Sequence, residues 1–394
     1  MITALQQFVK DVTYKPDFLL IIFAFFLPVF PQVAQVAIAL YLISWIINKQ
    51  FRYLSKVKSN WFAIGSMAYF IIFALSGLYS TNLQFWSSDL EAKLPLLLVP
   101  LLLVSREKYD ERILKAIFWA FVGGCLIIVG VLYYQYYLGD GNVFRSTVSG
   151  KTFLNPIYFA MFLSGILLTG LYFLFDKEKI EINQKVIFQG LGLLFIHYIV
   201  FALASRMAIL ATIAVELGIV FLWQIIFKKQ FIKGVSWLVI VIVINLLSLN
   251  FIKQASKRMS KTSSGEVRML IWEASVLQIS KSPIFGYGSG DSRSAMTEGY
   301  QIVDYAYGIK YNQNCHNQYF ETGISTGLIG ILVLLGWFLL AFKMGWQTQN
   351  YLLCIFLVII ALNILTESML ERQQGTYFVA FFGSLLTWKS WKNE

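Results

Sequence analysis

The sequence predicts an all-α polytopic membrane protein with about twelve transmembrane helices and one long extracytoplasmic loop. Three observations predict it. Of 394 residues, 58% are hydrophobic and only 13% charged, against about 25% charged in soluble globular chains. The apolar residues gather into runs that approach the roughly 20 residues needed to cross a hydrocarbon layer about 30 Å thick. One long polar interval, Phe251 to Glu321, interrupts these runs.

In chain order the spanning runs fall at about residues 18–30, 32–47, 60–78, 94–104, 114–138, 156–175, 186–204, 207–227 and 234–251, then at 323–342, 350–365 and 375–388. Lys10 and Lys15 precede the first run in the manner of a signal peptide. No small-x-small cleavage site follows and a second span begins at once, so a retained first helix is expected. The run at 94–104 is short and carries Pro95 and Pro100, which predicts a tilted or broken helix, or one extended by Trp86 to Glu91. Residues 1–250 are thus read as helices one to nine, 251–321 as the long loop, and 322–394 as helices ten to twelve with a short cytoplasmic tail.

Loop charges set the orientation. With a cytoplasmic N-terminus, nineteen Lys and Arg fall in inside segments and five, Lys93, Arg145, Lys151, Arg206 and Arg372, in short outside ones. Both termini are therefore expected in the cytoplasm and the long loop outside. The net charge of +11 would suggest nucleic acid in a soluble protein. Here the basic residues sit in short loops beside membrane lipid headgroups, so no nucleic-acid partner is expected. Cys125, Cys315 and Cys354 are scattered, which predicts no disulfide framework, and only Cys315 lies in a loop where a thiol could be oxidised.

Within the polar interval, Ser264 is placed to cap a helix from about Gly265 to Ser280, lying along the outer membrane surface. Arg268 and Trp272 are four apart and share a face of it. Gly286, Gly288 and Gly290 follow Pro283 and, without the strand and helix of a phosphate loop, read as turn formers. His197 lies inside an apolar run and reads as a hydrogen-bonded packing residue. His316 stands beside Asn317 and near Tyr319 and Glu321, partners able to fix its tautomer and leave one nitrogen free to accept a proton; a structural loop residue is the alternative. Arg206, at a tight Ser205-Arg206 hairpin between two apolar runs, reads either as a snorkelling side chain or as a functional one.

Two distant histidines make no zinc set, and the outside acids lack a tight Asp-x-Asp pair, so neither metal nor cofactor is expected. Gly286-Tyr287-Gly288-Ser289-Gly290 has no serine at its centre and is not a nucleophile elbow. What remains is a set of arginines, whose planar forks suit phosphate oxygens, and one histidine.

Ser205-Arg206, Arg268 with Trp272, Pro283 to Gly288, His316 to Glu321, Gly327-Leu328-Ile329-Gly330 and Thr366-Glu367 together resemble the O-antigen ligase and polymerase superfamily, mainly over residues 155 to 385. The resemblance implies a fold like that of lipid-donor (GT-C-like) glycosyltransferases. It implies transfer of a glycan from undecaprenyl diphosphate to a saccharide acceptor at the outer face of a bacterial inner membrane, without metal and with inversion. The acceptor is lipid A-core in the ligases and another lipid-linked repeat in the polymerases. The resemblance carries over Arg206, Arg268 and His316 as catalytic residues. Arg258, Trp272, Tyr287, Asn317, Tyr319 and Glu321 are assigned to substrate binding. Tyr305, Tyr307 and Tyr311, with Tyr287 and Trp272, offer faces for sugar stacking or for interfacial anchoring. A transporter or flippase is the remoter reading: it calls for charge near the bilayer midplane, where only His197 and Glu216 stand out.

Overall fold

The computed structural model describes residues 16–107, 109–138, 155–176, 184–203, 206–259 and 264–388. These residues are helical, with no strand among them. Four helices, Glu111–Tyr134, Pro156–Leu174, Phe231–Asn250 and Gln318–Gln347, are long and apolar enough to cross a membrane. A fifth span arises if Pro31–Ile47 and Gln50–Ser59, bent by 106°, are one unit, and further apolar helices are shorter. The protein is an all-α membrane protein. The helix Phe231–Met259 continues nine residues past Asn250 into the interval read as loop.

Contacts group the chain into two units: Met1–Phe23, Gln35–Ala116 and Ser263–Glu394 form one, Ala24–Ala34 and Ile117–Thr262 the other. In the first unit, Trp61–Ser76 lies along Gln318–Gln347. Tyr69 bonds Thr322 between hydroxyls at 2.7 Å, and the Phe62 and Tyr69 rings pack on Trp337 with centroids 5.5 and 6.0 Å away. Asn60 and Asn350 start helices by accepting the backbone N–H groups of Ala63 and Leu353. The Pro-interrupted run forms a ten-residue helix, Pro95–Val104, directly after a separate helix, Leu83–Lys93. Pro95 is tolerated at the first position because its missing N–H would have had no partner there.

The helix Gln318–Gln347 is broken at Gly327, where φ is 64° and ψ −159°. A break frees backbone groups that a buried helix must satisfy elsewhere. The Pro283–Gly288 turn supplies the partners: Tyr287 N donates to Ile324 O at 2.8 Å, Gly288 N to Ser325 O at 2.9 Å, and Leu328 N to Pro283 O at 2.8 Å. Gly286 has φ +68°, and a Cβ there would stand 2.5 Å from Ile324 O. Both the conformation and the space therefore demand glycine. Further along, Ser289 N and Gly290 N donate to the Ser76 and Ser80 hydroxyls, and Asp291 accepts from Thr81 and Asn82. The glycine run is a turn, as its composition predicts, and its N–H groups are taken by the protein itself.

The helix Ser264–Lys281 forms at the predicted place and packs on Ser292–Ile302, burying Ile271, Ala274, Ala295, Met296 and Tyr300. Cys315 departs from expectation. It is fully buried in this cluster, so it is not an oxidisable loop thiol, and burial together with the nearby Glu321 carboxylate pushes its pKa well up.

In the second unit the helices Pro156–Asp176, Gln184–Ala202, Arg206–Val220 and Phe231–Met259 pack together, with a π-helical turn over Phe221–Phe227. Thr212 Oγ1 donates to Ser164 Oγ at 2.8 Å. His197 is buried here: Nδ1 lies 3.0 Å from Glu216 Oε1 and Nε2 3.2 Å from Ser248 Oγ, while Asn245 Nδ2 donates to Glu216 Oε2 at 2.9 Å. It is a hydrogen-bonded packing residue, as read from its apolar setting.

Candidate functional site

The first unit builds its site around His316. The chain reaches this residue in a left-handed conformation, φ 47°. Asn317 then returns to extended backbone and caps Gln318–Gln347, its Oδ1 accepting from Tyr319 N at 2.9 Å and Phe320 N at 3.2 Å. The turn and cap throw the imidazole outward. Its Nδ1 lies 3.4 Å from Glu367 Oε2, a loose contact, and its side chain is 32% exposed whereas that of Glu367 is 4% exposed. Nε2 has no partner among the described residues.

Glu367 is held by the irregular segment between Tyr351–Asn363 and Gln373–Leu386, and that segment is pinned from three sides. Gln318 is fully buried and reaches across to it, Oε1 accepting from Leu370 N at 2.8 Å and Nε2 donating to Glu371 Oε1 at 2.9 Å. Glu321, also buried, accepts from Cys315 N at 3.2 Å and lies 3.5 Å from the Ser368 hydroxyl. From below, Lys93 donates to Glu371 Oε2 at 2.7 Å and to Asp89 Oδ1, its ammonium 4.4 Å from the Phe73 ring centroid.

Lys93 is completely buried, so the group survives only because both carboxylates attend it. Burial pushes the Glu371 carboxyl up, but the Lys93 charge and the hydrogen bonds it receives outweigh this and hold it below the usual range. Asp89, on the other side of the same ammonium, goes the opposite way. Burial and the Glu371 charge raise its pKa more than Lys93 lowers it.

The predicted residues divide by what they touch. Trp272 packs its ring edge-on against Phe320 with centroids 5.9 Å apart, which sets the Arg268–Trp272 turn beside the first turn after His316. Arg268 is partly exposed one turn away on the same helix. Tyr287 donates its hydroxyl to Gln278 Oε1 at 2.8 Å, and Tyr319 to Ala361 O at 3.4 Å. Asn317, Tyr319 and Glu321 thus have internal partners that shape the His316 loop. Arg206 begins the helix Arg206–Val220 and Arg258 lies in Phe231–Met259, both in the second unit; their side chains fall outside the described residues.

Sequence reasoning missed Lys93, Glu371 and Gln318. Lys93 was counted only as a topological charge. The available signal was the Asp89–Lys93 spacing of four in a chain that otherwise avoids charge beside its apolar runs.

Fold and site together define an all-α membrane protein with a partly exposed histidine–glutamate pair beside the start of a membrane-length helix. Residues 191–335 match the family model described as O-antigen ligase (Wzy_C), which bears out the resemblance to the O-antigen ligase and polymerase superfamily. The matched region contains Arg206, Arg258, Arg268 and His316 and ends before Glu367. No curated protein matches the chain. Members of this family are membrane glycosyltransferase-like enzymes acting on lipid-linked glycans and saccharides.

Proposed function

We propose that the protein is an O-antigen ligase-type glycosyltransferase. It moves a glycan from undecaprenyl diphosphate to an acceptor sugar of lipid A-core, at the extracytoplasmic face of the bacterial inner membrane, without a metal ion. The observation that carries this reading is the His316–Glu367 arrangement: one ring nitrogen faces a buried carboxylate and the other is open on a partly exposed side chain.

In the reaction, the acceptor hydroxyl gives its proton to His316 Nε2 as its oxygen forms the new bond to the anomeric carbon. The bond from that carbon to the diphosphate oxygen breaks, and undecaprenyl diphosphate leaves with the electron pair. A single displacement of this kind inverts the anomeric centre. Glu367 acts as a positioning residue, accepting from Nδ1–H and stabilising the imidazolium that forms. Arg268 is assigned to the charge that grows on the leaving diphosphate, for which the guanidinium fork offers two parallel hydrogen bonds; Arg206 keeps the catalytic role that the resemblance gives it. A phosphate leaving group needs no general acid.

The test is the glycan pattern of cells carrying His316→Ala, with expression verified. Long polymer held on undecaprenyl carrier beside a bare acceptor is the result expected of a ligase. Accumulation of single repeat units would instead assign the protein to the polymerases, and a normal pattern would remove His316 from the chemistry.

A further inference from the structure

The five aromatic residues that the sequence offers for sugar stacking do not have the same fate. Trp272, Tyr287 and Tyr305 pack against the cluster of Ile271, Ala274 and Met296, and Tyr305 is 8% exposed. Tyr307 and Tyr311 are different: they are 54% and 55% exposed, one turn apart on the short helix Ala306–Tyr311. Their ring centroids lie 4.3 Å apart with planes inclined at 43°, and Lys310 Nζ stands 5.3 Å from the Tyr311 centroid. Neither hydroxyl has a hydrogen-bond partner among the described residues.

The support beneath this pair is hydrogen-bonded at several points. Tyr300 donates its hydroxyl toward Gln313 O at 3.2 Å and Asn314 O at 3.3 Å, Tyr305 donates to Gln313 Oε1 at 3.0 Å, and Gln313 N returns to Gly308 O at 3.2 Å. Arg293 closes the end by donating to Asn312 O at 3.3 Å, with its guanidinium over the Phe85 ring. The same hydrogen bonds fix residues 313 and 314, which lead directly into His316. Four residues lie between Tyr311 and His316, so the Tyr311 backbone lies within about 18 Å of the His316 backbone even for fully extended chain.

We propose that Tyr307 and Tyr311 form a subsite for the acceptor saccharide, resting on the transferase reading above. A pyranose has a face of C–H groups, slightly positive, that suits the negative face of an aromatic ring. Its rim of hydroxyls suits the two open phenol groups and the Lys310 ammonium, which also complements an acidic sugar. The platform holds the acceptor chain a short span from the base while its terminal hydroxyl reaches His316. A tyrosine pair used for interfacial anchoring would have no need of a helix whose Gly308 and flanking Tyr305 are hydrogen-bonded to the loop that carries the histidine.

The experiment uses the full chain in detergent and, as probe, the core oligosaccharide released from lipopolysaccharide by mild acid. Saturation-transfer NMR reads binding without turnover, and a transfer assay reads KM and kcat for the acceptor. Tyr307→Ala/Tyr311→Ala is expected to raise the acceptor KM by on the order of 10-fold, with kcat and the donor KM kept and Tm unchanged. Tyr307→Phe/Tyr311→Phe, which keeps the faces and loses only the phenol hydroxyls, is expected to raise the acceptor KM by less than the alanine variant does. The single Tyr307→Ser variant, at an exposed position, repeats the KM effect in smaller measure. Loss of saturation transfer in the Ala variant supports the subsite even if no transfer of any glycan is detected, in which case the transferase reading alone fails. Unchanged KM and unchanged saturation transfer in an active enzyme overturn the subsite and leave that reading intact. So does a variant whose only defect is weaker association with lipid vesicles.

Discussion

Each of the two units contains one histidine facing one glutamate, and the two pairs are opposites. His197 is 4% exposed, has both ring nitrogens engaged, and shares Glu216 with Asn245. His316 is eight times as exposed, has one loose partner in Glu367, and sits on left-handed backbone that turns the ring outward. Taking a proton from a substrate needs a ring nitrogen with a free lone pair and a route to the solvent side. The first pair is saturated and acts as polar glue between helices. The second keeps one ring nitrogen open on a partly exposed side chain, as the proposed base would need.

The largest effect that would break the comparison is His316→Gln. Transfer is expected to fall by about 10²–10⁴-fold with no loss of thermal stability in detergent, as read by a transfer assay beside a melting curve. Next comes Lys93→Met, which leaves Glu371 and Asp89 buried without a cation. A destabilisation of about 3–5 kcal/mol is expected, and transfer by the surviving folded fraction falls as the Glu367 segment loosens. Glu367→Gln sharpens the contrast within the site: its contact is loose, so the expected loss of kcat is smaller than the roughly 10⁴-fold found where such a pair is tight and buried.

Glu216→Gln removes charge from the buried pair in the second unit. It is expected to cost about 1–3 kcal/mol of stability and to leave kcat per folded molecule near wild type. The smallest effect concerns Asp291. Burial alone would push its carboxyl up, but the hydrogen bonds from Thr81 and Asn82 hold it below the usual range. A folded-state pKa that is depressed adds stability above the ordinary carboxylate range and loses it as pH falls through the depressed value. Asp291→Asn should therefore lower stability slightly at neutral pH, where this contribution is fully present, leave strongly acid pH almost untouched, and so flatten the acid limb of a stability–pH curve.

Much of the architecture was legible because hydrophobic runs and turn residues are local signals. The apolar run at 156–175 appears as the membrane-length helix Pro156–Asp176, that at 350–365 as the shorter apolar helix Tyr351–Asn363, and the helix expected from Gly265 to Ser280 as Ser264–Lys281. The glycine turn after Pro283 was legible too. Its mate was not: Gly327 breaks a helix to receive that turn, and a break defined by a segment some 40 residues earlier has no local signature. Cys315 and Lys93 were misjudged for the same reason. A polar neighbourhood in sequence says nothing of the apolar cluster that closes over Cys315, or of the two carboxylates that let Lys93 be buried. At the site, His316 was legible as an isolated titratable group beside Asn317, whereas the cap that Asn317 makes and the support from Gln318, Glu371 and Lys93 required the three-dimensional arrangement.

The most direct test of the central claim sets His316→Gln and His197→Gln side by side in purified protein, measuring glycan transfer from a lipid-linked donor and thermal stability on the same samples. The account predicts that His316→Gln loses transfer and keeps its melting temperature, while His197→Gln keeps its turnover per folded molecule and melts earlier. The reverse assignment, or an active His316→Gln enzyme, would contradict it.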